Sequence, residues 1–170
     1  MHKTLAEYIL HLKDAMPLDM CQKIIETYDS VSKSDPNYLK RKNKIFDFDE
    51  INMLNHDAFV DFREPMGKLM QAVNNFYMDK THNELKDRLV CYEALKDYEA
   101  PRVKRYEPNQ GIFDWHIDAS DQNSAKRAVV MFWYLNDVAE GGETIFDIGE
   151  EVAVKPEAGS VVCFPPTWQY

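Results

Sequence analysis

The chain has 170 residues, 45% of them apolar, enough for one domain with a substantial core. A net charge of −9, from 29 acidic and 20 basic side chains, argues against sequence-independent nucleic-acid binding, because phosphate neutralisation needs concentrated cations. No stretch has the length and apolarity of a membrane span, the opening residues show no charged-then-apolar pattern that would lead one to expect a secretory leader, and Cys21, Cys91 and Cys163 are widely spaced. The expectation is a soluble, cytoplasmic protein with reduced thiols and neither a membrane nor a nucleic acid as partner.

The first hundred residues read mainly as helix. Leu5, Ile9 and Leu12 share a face at helical spacing, and Leu18, Cys21, Ile24, Ile25 and Tyr28 form a second stripe starting near Pro17. Pro36-Asn37 marks a polar loop, and the basic run Lys40-Arg41-Lys42 reads as a solvated loop. Lys44 to Phe48 alternates like a short strand. From Asp57, the series Phe59, Phe62, Met66, Leu69, Met70, Val73 and Phe76/Tyr77 predicts a long amphipathic helix that Pro65 kinks or restarts. A less regular helical pattern passes through Leu85, Leu89 and Leu95.

After Pro101 the apolar period changes to two. Strands are expected at 103–106, 113–118, 126–135, 143–146, 151–154 and 160–164, separated by turns at Pro108–Gly111, Gly141-Gly142, Gly149 and Lys155–Gly159. Short strands at regular spacing indicate a β-sandwich or barrel, and a helical layer packed on it gives an α+β fold. The expectation is a single domain over 1–170, in which 1–100 is mainly helical support and 101–170 is a β core.

His116 and Asp118 lie two apart, so on a strand both side chains leave the same face. One imidazole and one carboxylate make two thirds of the facial triad that holds non-haem Fe(II) and leaves positions open. The spacing alone is common, and its context makes it specific. Arg105-Tyr106, Gly111, Phe113 and His116-x-Asp118 are followed by Arg127, by Tyr134-Leu135-Asn136 and by Gly141-Gly142-Glu143-Thr144-x-Phe146. Then comes Val154-x-Pro156-x-x-Gly159-x-x-Val162-x-Phe164. In this order the segments resemble the prolyl 4-hydroxylase-like branch of the Fe(II)/2-oxoglutarate-dependent dioxygenases.

That resemblance implies a double-stranded β-helix, the jelly-roll or cupin-like barrel, with an N-terminal helical layer. It implies Fe(II) on His116 and Asp118 and 2-oxoglutarate and O2 as cosubstrates, with ascorbate dependence by analogy. Tyr134 and Tyr106 match tyrosines of the cosubstrate pocket, and Phe132, on the face of Tyr134, would line it. Arg127 and Phe113 match positions on the substrate side. The activity implied is hydroxylation of an unactivated C–H bond in a peptide or small-molecule substrate, a peptidyl prolyl residue among them.

Three departures accompany the match. The distal histidine is absent, because His2, His11, His56 and His82 all precede the barrel. The Lys or Arg that pairs with the distal carboxylate of 2-oxoglutarate, and the last barrel strand, are missing after Tyr170. Phe113 stands where collagen-type relatives tend to have tyrosine. The expectation is a chain cut just before the third ligand, with weak metal binding and low or no turnover. The alternative is a non-catalytic β-helix module for binding or assembly.

Overall fold

The computed structural model describes residues 4–82 and 97–170. Cys91 and the pattern through Leu85, Leu89 and Leu95 lie outside the described residues. The N-terminal stretch differs from the helix expected on Leu5, Ile9 and Leu12. A 3-10 turn, Leu5–Tyr8, leads into strand β1, Leu10–Leu12, which pairs antiparallel with β9, Val161–Phe164. Leu10 is buried there against Val73 and Tyr77, so tertiary pairing overrides a helical spacing that rested on three leucine-type residues.

Helix α1, Leu18–Ser30, follows the predicted stripe, with Cys21, Ile24 and Tyr28 inward and Leu18 exposed. Helix α2, Val60–His82, continues from a 3-10 turn at Asp57–Phe59. Pro65 does not split it. The proline falls near the start of the helix, where one missing N–H interrupts little of the hydrogen-bond ladder. Phe59, Met66, Met70, Val73 and Tyr77 are buried, whereas Phe76 faces solvent. No helix among the described residues is long and apolar enough to cross a membrane.

The basic run is a strand rather than a loop. β2, Tyr38–Lys42, pairs with β3, Phe46–Asn52, which pairs in turn with β4, Arg102–Arg105, and with β5, Ile112–Phe113. As an edge strand carrying Lys40, Arg41 and Lys42, β2 lacks an apolar alternation, and charge on an exposed edge disfavours pairing with another chain. Ile51 and Val103 sit opposite each other and bury against α1 and α2. On the other face of this sheet lie Phe48, Glu50 and Lys104.

A three-stranded sheet runs in the order β1-β9-β6, with β6 at Val130–Trp133, and a hairpin joins β7, Thr144–Asp147, to β8, Glu151–Val154. Alternation in β9 sends Val161 and Cys163 to α2 and sends Val162 and Phe164 to an inner cluster with Phe146 and Val154. Gly159 has φ +77, and a Cβ there would lie 2.6 Å from the Met16 carbonyl, so this turn requires glycine. The result is an α+β fold of antiparallel sheets. Among the described residues the strands do not close into a complete barrel.

Candidate metal centre

The chain between Phe113 and Asp121 carries the site without being a strand. β5 ends at Phe113, and the backbone bends at Trp115, whose amide bonds the Asp114 carboxylate at 2.9 Å. The expected strand over 113–118 is therefore corrected to two residues followed by an irregular segment. The final residues hold that segment in place. His116 and Tyr170 exchange main-chain hydrogen bonds of 3.0 and 3.2 Å, and the Ala119 amide donates to the Pro166 carbonyl at 3.0 Å. Asp147 of β7 anchors the same tail through its amide to the Gln169 carbonyl, 3.1 Å.

The pair still converges. His116 Nε2 stands 4.0 Å from Asp118 Oδ1. The other ring nitrogen, Nδ1, is 2.9 Å from the Asp114 carbonyl oxygen, an acceptor, so the tautomer that satisfies it places N–H at Nδ1 and the lone pair at Nε2. Nε2 is buried and has no hydrogen-bond partner. Burial also depresses the imidazole pKa, outweighing the Asp114 carbonyl and Asp118, so the neutral, ligating form is favoured. An orphaned basic nitrogen beside a carboxylate fits a divalent cation of the borderline type that imidazole and carboxylate share. Among the described residues no third His, Cys, Asp or Glu joins them.

Neighbours fix each member. Phe113 stacks on His116 with centroids 3.7 Å apart and planes 10° from parallel, and the Tyr170 ring lies 4.2 Å from His116 on a tilt. The Tyr170 hydroxyl donates to Asp118 Oδ2 at 2.8 Å. Burial, then the Asp118 charge, pushes that phenol's pKa far above its ordinary value, so it stays a donor. Arg127 lies just past the 3-10 turn Ser124–Lys126, not at the head of a long strand from 126, because β6 begins only at Val130. Its Nη1 donates to the Asp118 carbonyl at 2.9 Å, while Nε and Nη2 grip Glu99 at 2.6 and 3.1 Å. Beside the pair lies an open cavity of about 420 Å³, walled in part by Phe46, Phe113, Asp121 and Arg127. A larger one of about 630 Å³, between α1 and the start of α2, is remote from this chemistry.

Tyr134 falls just past β6, where its hydroxyl meets Thr144 Oγ1 at 2.7 Å and its ring meets Phe132 edge-on at 5.3 Å. Tyr106 follows β4 and packs its ring on Phe48 at 5.3 Å. It is 43% exposed, yet desolvation raises its phenol pKa. The two facts agree if the ring lines a concavity that water enters and protein surrounds. Lys104, two residues earlier on the same face, behaves alike: solvent reaches it, while desolvation lowers its pKa.

Asp114 was read from the sequence as flanking the site, without the role its carbonyl takes, and Glu99, Lys104 and Tyr170 were not identified. Lys104 shares strand parity with Tyr106 and could have been found that way. Glu99 and Tyr170 act through tertiary contacts that leave no local pattern.

The sequence model of the 2OG-Fe(II) oxygenase superfamily matches residues 101–170. No curated protein matches the chain. Among solved structures, the chain is similar to a Pseudomonas putida prolyl-4-hydroxylase. The TM-score is 0.63 at 16% identity, over 96% of this chain and 83% of that one. It is also similar to a viral collagen prolyl hydroxylase from Paramecium bursaria Chlorella virus-1, solved as its 2OG complex. There the TM-score is 0.55 at 20% identity, over 95% of this chain and 77% of that one. The fold is thus the one these prolyl hydroxylases share, a double-stranded β-helix.

Proposed function

We propose, from a match to the 2OG-Fe(II) oxygenase superfamily over residues 101–170, that this protein is an Fe(II)- and 2-oxoglutarate-dependent hydroxylase with His116 and Asp118 as metal ligands. The observation that carries the proposal is the buried, partnerless Nε2 of His116 held 4.0 Å from the Asp118 carboxylate. Bound there, Fe(II) supplies the oxygen activation that couples decarboxylation of 2-oxoglutarate to succinate with insertion of one oxygen atom into a C–H bond.

The chain's own residues bind, orient and shield. The Asp114 carbonyl holds the Nδ1 proton of His116, keeping Nε2 available as a ligand. The Tyr170 hydroxyl on Oδ2 and Arg127 on the main-chain carbonyl set the direction of Asp118. Phe113 covers the imidazole. Tyr134, Phe132 and Tyr106 are assigned to the cosubstrate by the resemblance, and their rings and hydroxyls are of the kind that suits a five-carbon dicarboxylate whose far end needs hydrogen bonds. Arg127 and Phe113 border the open cavity and are assigned to the substrate side. The two solved structures named above are prolyl hydroxylases, which makes a peptidyl prolyl residue the first substrate to test and ascorbate the reductant to include.

A second reading, a β-helix module that binds without catalysis, is favoured by one observation: only two ligands meet among the described residues. Mn(II) binding, followed by electron paramagnetic resonance on wild type and His116→Ala, separates the two. Binding that disappears in the variant, together with succinate formation by wild type supplied with Fe(II) and 2-oxoglutarate, supports the hydroxylase. Equal metal affinity in both proteins overturns the site.

A further inference from the structure

We infer that Lys104 is an anchor for a carboxylate carried into the mouth of this cavity, which gives the site a preference for acidic ligands. The inference deepens the hydroxylase proposal and rests on it for the identity of the cavity.

Lys104 faces Glu50 directly across the β3–β4 ladder, the position from which a cross-strand ion pair would ordinarily form. Glu50 is already taken. Arg41 reaches it from β2, with Nη2 at 2.8 Å and Nε at 2.9 Å from Oε1. Lys104 leans the other way instead. Its ammonium sits over the Phe48 ring at 4.6 Å and the Phe113 ring at 4.7 Å. Phe113 is the ring that stacks on His116, so the ammonium is one aromatic ring removed from the metal pair.

Among the described residues no carboxylate lies within ion-pair distance of Lys104, although the charges of Glu50 and Asp118 act on it. Arg127, the other cation at this mouth, is held by Glu99 in a two-pronged pair and has little left to offer a ligand. Phe46, Phe48 and Phe113 form one ring cluster of which Phe46 and Phe113 line the cavity, so the ammonium over Phe48 and Phe113 stands beside it. Cation–π contact orients an ammonium without neutralising it, so a donor with unspent hydrogen bonds remains.

The carboxylate has two sources, the cosubstrate 2-oxoglutarate and an acidic group on the molecule to be oxidised. Both are titrated by calorimetry into metal-free and Mn(II)-loaded full-length protein, using 2-oxoglutarate for the first. Acetyl-aspartate N-methylamide and its asparagine counterpart serve for the second. Variants are Lys104→Met, which keeps the apolar stem, and Lys104→Arg, which restores charge; circular dichroism checks their folding.

The expected result is a loss of about tenfold in affinity for a carboxylate probe in Lys104→Met, recovery in Lys104→Arg and no change for the asparagine probe. Loss for 2-oxoglutarate identifies the cosubstrate as the source, and loss for the aspartate probe identifies the substrate. Wild type that does not prefer aspartate to asparagine and binds 2-oxoglutarate no better than Lys104→Met overturns the inference. Failure to bind Mn(II) would instead sink the hydroxylase proposal, and the metal-free titrations would still decide the role of Lys104.

Discussion

Tyr170 and His116 are joined as if they were strand partners, each amide bonded to the other's carbonyl, although neither belongs to a strand. The same tyrosine then reaches past the imidazole to the Asp118 carboxylate. One residue therefore sets the backbone of His116 and the side chain of Asp118, the two proposed ligands. Tyr170→Phe keeps the backbone pairing and the ring contact and removes only the hydroxyl. The expected cost is about 1 kcal/mol of stability, read by urea unfolding, and a weakening of Mn(II) binding by about tenfold. An unchanged metal affinity would show that Asp118 needs no such orientation.

Arg127 spans Glu99 and the Asp118 carbonyl, with both partners partly solvated. The Glu99 side chain is about half exposed, which limits what the pair contributes. Arg127→Lys retains charge but loses the fork that grips two carboxylate oxygens while bonding a carbonyl. It should lower stability by about 1 kcal/mol and weaken Mn(II) binding more than a distant surface control such as Lys68→Ala. Stability and affinity both equal to the control would remove Arg127 from the site.

Tyr134 offers a test of the proposed cosubstrate pocket that separates folding from binding. Its hydroxyl bonds Thr144, a neutral, partly buried pair. Tyr134→Phe is expected to cost about 1 kcal/mol or less in stability and to weaken 2-oxoglutarate binding several-fold, by about the worth of one hydrogen bond. Calorimetry on the Mn(II)-loaded protein gives the answer, and an unaltered affinity removes Tyr134 from the pocket.

Cys163 and Cys21 are buried free thiols, and desolvation pushes Cys163 up to about 12. A thiol whose folded pKa lies above its unfolded value favours the protonated fold. Its contribution to stability is complete below the unfolded value, near 8.5–9, and is lost as pH rises from there toward 12. Unfolding followed between pH 7 and 11 should show a loss in wild type that is smaller in Cys163→Ser. Peptide-resolved alkylation at pH 8 should find both thiols protected in the native protein. Rapid labelling of Cys163 would contradict its burial.

Glycine at 159 and at 149 shares a positive φ, but only Gly159 is crowded, by the Met16 carbonyl. Gly149→Ala should cost about 1 kcal/mol from backbone strain alone. Gly159→Ala adds the collision and should cost about 2–3 kcal/mol, with the difference readable in thermal midpoints. Equal costs would mean that the turn can shift away from Met16.

The β-rich half of the fold was largely legible, since β8 alternates from Glu151, β9 is a short unbroken apolar run and the turn between them carries Gly159. β1 and β2 escaped for opposite reasons. β1 is three residues long inside an accidental helical spacing, and β2 is an exposed edge whose side chains need not alternate. His116 and Asp118 were found through a strand argument that does not describe their backbone. A side chain two residues on can converge through a bend as well as through a pleat, and the tail from Pro165 to Tyr170 supplies that bend. Lys104 was missed because one lysine on a strand looks like surface until its cross-strand carboxylate is seen paired elsewhere.

The tail at 165–170 is bonded to the His116 segment on one side and to Asp147 on the other, so the three should open together. Amide hydrogen exchange would then report one shared protection for His116, Ala119, Asp147 and Tyr170, distinct from that of the β6–β9 ladder. A cation bound between His116 and Asp118 stabilises the closed form by mass action. It should therefore slow exchange at Asp147, a residue that touches neither ligand, and make that amide a remote gauge of occupancy.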